Sequence, residues 1–196
     1  MSKALQDKLK ARFGAKVLAT PSQFGDETVV VTADAWREIH LFLRDDASTQ
    51  MQMLIDLCGV DFPEREPRFE VVTHLYSLTK KHRLRVKTSV GDADGDGAEV
   101  DSLIEVWRSA DWMERETFDM FGVKFRGHPD LRRILTYEEF EGHPLRKDYP
   151  AQRTQPLVPY RQGVGVQDKL APFGVDEGMP FGRQTHAASS GSDEVN

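Results

Sequence analysis

Cysteine is almost absent from this chain of 196 residues; Cys58 stands alone. No disulfide can form within it, which argues against a secreted scaffold held by bridges. One thiol also cannot supply the four thiolates of an iron–sulfur cluster. Long apolar runs are missing as well. No stretch approaches the ~20 apolar residues that cross a bilayer as a helix. Residues 1–10 are polar and charged where a signal peptide needs an apolar centre. Any membrane association is therefore expected to run through a partner. An excess of cations is lacking too. Lys and Arg number 26 against 32 Asp and Glu, a net charge of −6, so a phosphate backbone is repelled on average. Only residues 80–87, five of them Lys or Arg, are locally basic. No aromatic residues interleave with those cations as stacking platforms would.

Motifs that carry chemistry are equally scarce. There is no Gly-x-Ser-x-Gly elbow, phosphate-cradling glycine loop or dinucleotide fingerprint. No Glu-x-x-His or His-Glu-x-x-His helix is present. Glu114 and Asp119 have no recognisable base–nucleophile pairing to make a hydrolase. The segment 92–97 opens like a calcium loop, but its twelfth position is Leu103 where a bidentate Glu is needed. A solvated loop is the expectation there. Catalytic, cofactor-binding and metal-ligating residues are expected to be absent.

What is present reads as an α+β domain over residues 1–150, its helices packed on a mixed or antiparallel sheet. Residues 2–13 form an amphipathic helix pattern, with Ser2 as N-cap and Gly14 at its C-terminal end. Strands are expected over 16–19 and 27–32. Thr32 then caps a second helix that buries Trp36, Ile39, His40 and Leu43. Residues 50–60 are an apolar run holding Cys58, read as a buried, inert thiol. They suit either a buried strand or a helix followed by a strand. Residues 69–78 and 83–90 read as a hairpin, with Leu84, Val86, Thr88 and Val90 facing one way. Helices are expected over 102–107 and 110–121.

From residue 151 the character changes. The last 46 residues hold four prolines and six glycines without any sustained period. Leu157, Tyr160, Leu170, Phe173 and Phe181 are spaced singly. Such a segment cannot bury enough on its own to offset backbone ordering. An extended C-terminal arm over 151–181 that orders on another subunit, followed by disorder to residue 196, is expected.

The informative stretch is 111–150. On a helix, Ala110, Glu114, Phe118 and Phe121 form one stripe. Two arrangements fit. Either Glu114 points inward and pairs with Arg132 or Arg133, or it lies at the edge while Arg115 and Asp119 make a surface pair. His128 and His143 both sit in Gly-His-Pro turns, each followed by an apolar residue and two cations. These turns are expected to project Arg132, Arg133, Arg146 and Lys147 towards a partner surface of opposite polarity.

These residues carry a resemblance. Glu114, Arg115 and Glu116, then Asp119, Met120 and Phe121, then His128, Arg132, Ile134 and Leu135 match the signature of the C-subunit family of the proton-pumping NADH-quinone oxidoreductase, respiratory complex I. The run His143, Arg146, Lys147, Asp148 and Tyr149 is similar to the family's closing segment. The resemblance implies a non-catalytic scaffold in the peripheral arm, beside the D subunit and cluster-bearing neighbours, on the cytoplasmic side of the inner membrane. It implies that FMN and iron–sulfur clusters reside in partner subunits and that this chain binds none. The signature residues are then structural or interface residues. The equivalent subunit of a membrane-bound hydrogenase or ferredoxin-linked quinone reductase is an alternative. A free-standing nucleic-acid-binding module is an alternative of another class.

Overall fold

A computed structural model describes residues 3–95 and 97–158. In chain order its elements are α1 (Lys3–Phe13), β1 (Val17–Ala19), β2 (Ser22–Gln23), β3 (Asp26–Val31) and α2 (Trp36–Asp45). There follow β4 (Met53–Asp61), β5 (Phe69–Ser77), β6 (His82–Val90), β7 (Glu99–Asp101), α3 (Ala110–Phe121) and β8 (Lys124–Arg126).

Strict alternation builds the centre of the sheet. β5 and β6 pair antiparallel, from Ser77 opposite His82 to Phe69 opposite Val90. Leu84, Val86, Thr88 and Val90 are buried, and Arg85, Lys87 and Ser89 between them are half-buried. β4 adds antiparallel on one side, with a bulge between Leu54 and Asp56. On the other side β3 runs parallel to β6, and β1 and β2 pair antiparallel with β3. The order is β1-β3-β6-β5-β4, a mixed sheet. The parallel pair of this sheet needs a long crossover, and α2, β4 and β5 make up that connection.

The register places Leu57, Val71, Thr73, Leu75, Leu84 and Val86 on one face. The helices cover this face. Leu9, Trp36, Ile39 and Leu43 are wholly buried there, each aliphatic side chain contributing about 1.5–3 kcal/mol. His40 joins them as a neutral ring. Burial pushes its pKa down to about 4. Nδ1–H donates to the Trp36 carbonyl at 2.7 Å, and Nε2 meets the Thr73 hydroxyl at 2.8 Å. α3 lies over β4 at Gly59, where a Cβ would come within 2.8 Å of the Phe121 ring. Only glycine permits that approach.

The opposite face is polar and paired. Lys87 bonds Glu70 at 2.7 Å, Arg85 reaches Asp26 at 3.6 Å and Arg83 lies over the Tyr76 ring. Three of the arm's five cations, Arg83, Arg85 and Lys87, are thus engaged within the sheet, while Lys80 and Lys81 are exposed at the turn. Cys58 is half-buried, and burial raises its thiol pKa to about 11.

Two expectations are corrected and one open alternative is resolved. Residues 102–107 form turns, not a helix, because the Ser102 hydroxyl and the Leu103 N–H serve a carboxylate on α3. They follow β7, which pairs parallel with β8 in a small second sheet. Thr32 makes no side-chain cap; a short 3-10 turn, Ala33–Ala35, precedes α2. Residues 50–60 take the strand alternative: 50–52 are irregular, β4 begins at Met53, and there is no helix. The Ser2 cap, and the expected arm beyond residue 158, lie outside the described residues.

Candidate functional site

Helix α3 carries the signature. Its buried face meets the sheet, and residues 127–149 return along its flank. Gly122 ends the helix at φ +81°, its N–H bonded to the Phe118 carbonyl. A Cβ there would also strike His143 and Arg146, so the position demands glycine twice over.

Glu114 points inward and is fully buried. Its partners are not the expected arginines. The Ser102 hydroxyl and the Leu103 N–H each donate to it at 2.6 Å. Burial raises its pKa to about 7; those two bonds oppose the rise and the Asp111 charge adds to it. Asp119, one turn on, takes the arginine instead. It is fully buried and accepts from Arg133 Nη1 at 2.8 Å and from the Thr136 hydroxyl. The Ile134, Leu135 and Thr136 N–H groups bond its other oxygen at 2.8–3.1 Å. Burial pushes the Asp119 carboxyl up, but the bonds from Thr136, Arg133 and Leu135 outweigh it and hold the group at about 2. Arg115 cannot pair with Asp119 on the surface, because the loop 133–136 covers that carboxylate. Arg115 donates instead to the Arg132 and Arg133 carbonyls at 3.1 and 3.2 Å.

The two Gly-His-Pro turns are tied down by their rings. His128 Nδ1 accepts from the Asp130 N–H at 3.1 Å, so Nε2 carries the proton and faces Asp111. His143 Nδ1 meets the Asp119 carbonyl at 2.9 Å, and burial lowers its pKa. Of the four cations expected to project, two do not. Arg133 turns in to Asp119 and the Gly142 carbonyl. Arg146 donates to the Phe121 carbonyl at 2.7 Å and lies over the Phe69 ring. Arg132 and Lys147 are exposed, as is Glu116. Phe121 is half-buried over Gly59, and Tyr149 stacks on Phe140 at 6.1 Å.

Asp61 and Arg68 complete this framework, and sequence reasoning does not single them out. Arg68 grips both Asp61 oxygens at 2.7 and 2.9 Å and reaches Asp148 at 3.0 Å. The Lys147 N–H donates to the same Asp61 at 2.7 Å. The Arg68 guanidinium holds the Asp61 carboxyl below its usual range. A signal exists: Asp61 continues the inward phase of Leu57 and Gly59, where an acid needs a partner.

Among the described residues no group of three or more His, Cys, Asp or Glu could hold a metal ion, and no helix is long and apolar enough to cross a membrane. A depression of about 1080 Å³ opens elsewhere, among Lys8, Ile55, His74 and Arg83, and no signature residue lines it.

Fold and site define an α+β module whose signature side chains bond mainly to their own chain. Residues 29–155 match the family described as respiratory-chain NADH dehydrogenase, 30 Kd subunit. The chain belongs to that family, in agreement with the resemblance carried by residues 114–135. It is 54% identical over 134 residues to the C subunit of NADH-quinone oxidoreductase from Caulobacter vibrioides, covering 68% of this chain and 66% of that protein. The protein of the same name from Burkholderia multivorans is 46% identical over 152 residues, 74% and 75% of the two chains. A solved chain of an archaeal membrane-bound sulfane sulfur reductase has the same fold. Its TM-score is 0.62 at 20% identity, covering 76% of this chain and 86% of that one.

Proposed function

We propose that this chain is a non-catalytic scaffold in the peripheral arm of a proton-translocating NADH-quinone oxidoreductase. It supports electron passage from NADH, through FMN and iron–sulfur clusters in other subunits, to quinone. It docks beside the D subunit, on the cytoplasmic side of the inner membrane, and the arm over residues 151–181 extends the contact.

One observation carries the reading. The signature's inward-turned side chains are spent on tying residues 127–149 to α3 and the sheet. Large apolar residues are left outside: Trp112 is 69% exposed and Leu135 64%. A framework that fixes an apolar exterior suits a surface made to be covered. The fold shared with the sulfane sulfur reductase chain fits the alternative of an equivalent subunit in a related membrane complex. The much higher identity to NADH-quinone oxidoreductase subunits favours the first reading.

The test is deletion of the chain in its host, followed by isolation of the membrane complex and mass spectrometry of its components. Loss of NADH-to-quinone turnover, restored by the full chain, is expected. A host that assembles an active complex without this chain overturns the reading.

A further inference from the structure

Glu114 and Asp119 are both fully buried on α3, but their charges are balanced differently. Asp119 has the Arg133 guanidinium at 2.8 Å. Among the described residues no cation pairs with Glu114. Its two donors, the Ser102 hydroxyl and the Leu103 N–H, are both neutral. A buried carboxylate with neutral donors alone keeps much of its desolvation cost, and taking up a proton removes that cost.

The neighbouring charges either favour that proton or are engaged elsewhere. Asp111, one turn earlier on α3, adds a negative field at Glu114, and its carboxylate faces His128 Nε2 at 3.2 Å. In the turn after β7, Glu105 pairs with Arg37 of α2. Between β7 and β8, Asp101 pairs with Arg126. On β4, Asp61 is held by Arg68. In the returning segment Arg133 and His143 turn to Asp119, and Arg146 turns to the Phe121 carbonyl.

The hydrogen bonds define what a proton does at this site. Ionised, Glu114 accepts from both donors, while Ser102 Oγ accepts the Ile104 N–H at 3.2 Å. The Leu103 N–H can only donate, so Oε1 stays an acceptor and the proton belongs on Oε2. The Ser102 hydroxyl then turns round and accepts it. The turn is bonded to α3 in both states, but only the neutral state is free of a buried charge. The same turn is tied to α2, because the Glu105 and Val106 carbonyls accept from Arg44 at 3.2 and 3.1 Å.

We propose that Glu114, Ser102 and Asp111 form a proton-operated latch: a proton on Glu114 Oε2 fastens the turn 102–106 between α2 and α3, and its loss loosens that turn while the sheet stays folded. Opening the turn hydrates the carboxylate, so the open form has the proton affinity of an ordinary Glu. The opening equilibrium therefore grows as pH rises above the ordinary carboxylate range, and it levels off once pH passes the closed form's pKa of about 7. The latch is internal to the chain and independent of which complex the chain joins.

The test is amide hydrogen exchange of the full chain, followed residue by residue from about pH 5 to about pH 8. Protection at Leu103 and Ile104, corrected for intrinsic exchange, is expected to fall about tenfold per pH unit up to about 7 and then level off. Both amides are expected to exchange faster than the β5–β6 core, the mark of a local opening. Glu114→Gln places an amide that accepts from Leu103 and donates to Ser102, and it is expected to abolish the pH dependence. Asp111→Asn leaves Glu114 in place and removes the negative field, so the levelling is expected at lower pH. Protection at Leu103 and Ile104 that does not change with pH overturns the proposal, as does a pH dependence that survives in Glu114→Gln. Exchange there no faster than in the core also overturns it, because the turn would then open only with the whole domain. Levelling at the same pH in Asp111→Asn would remove Asp111 from the latch and overturn the proposal as stated.

Discussion

Arg68 and Asp61 form a two-pronged ion pair from which solvent is almost wholly shut out. Their side chains are 4% and 0% exposed. Such a pair stabilises only while both members are present, because either alone is a desolvated charge. Arg68→Ala should therefore cost on the order of 3–5 kcal/mol, read from urea unfolding of the purified chain. Asp148 loses a partner in the same variant, but it lies at the surface and adds little. A change below about 1 kcal/mol, the range of a surface pair, would mean that the pair is hydrated in solution.

Glu114 sets the slope of stability with pH. Its pKa is raised to about 7 in the fold, against about 4.3 in the unfolded chain. The folded state therefore holds the proton more tightly. This contribution is fully present below the unfolded pKa and is lost as pH rises through about 7. Its size is on the order of 3 kcal/mol. Glu114→Gln should flatten the decline between pH 4.5 and 7, measured by denaturant midpoints across that range. An unchanged slope would assign the titration elsewhere.

Asp119 works with the opposite sign. Its pKa of about 2 lies below the unfolded value. Its contribution is present above the unfolded pKa and is lost as pH falls through about 2. Asp119→Asn sets an amide group against N–H and guanidinium donors and should destabilise by about 2–4 kcal/mol. The local readout is hydrogen exchange at Ile134, Leu135 and Thr136, whose amides the carboxylate engages. Exchange there should accelerate before that of the β5–β6 core. Unaltered protection would show that the loop holds without the acid.

Trp112 separates folding from assembly. The ring is exposed on α3, beside a framework that does not use it. Trp112→Ala should leave the stability within about 0.5 kcal/mol of wild type. It should weaken incorporation into the complex by roughly tenfold or more. Full incorporation would remove this face from the contact.

How much of this is readable from the amino-acid order depends on the range of each interaction. β6 is legible because its alternation is local and uninterrupted, and α2 because Trp36, Ile39, His40 and Leu43 recur at helical spacing. β7 and β8 have three residues each, too few for any period to show. Residues 102–107 mislead because Ser102 and Leu103 answer to Glu114, 12 and 11 positions on. Period places Glu114 on the α3 stripe but leaves it inward or at the edge; its burial is seen only in the fold. Which acid receives Arg133 depends on how the loop after β8 returns, and no local pattern encodes that. Asp61 is detectable by phase, but Arg68 becomes its partner only when β4 and β5 lie side by side.

The Lys147 amide that closes over Asp61 lies 86 residues downstream of it. At roughly 5–20 residues per second, Asp61 and Arg68 are both synthesised about 4–16 s before the amide that seals them. In that interval water and chaperones have access to the pair. A chain ending before residue 147 lacks this amide and the Asp148 carboxylate, and so leaves Asp61 and Arg68 each one partner short.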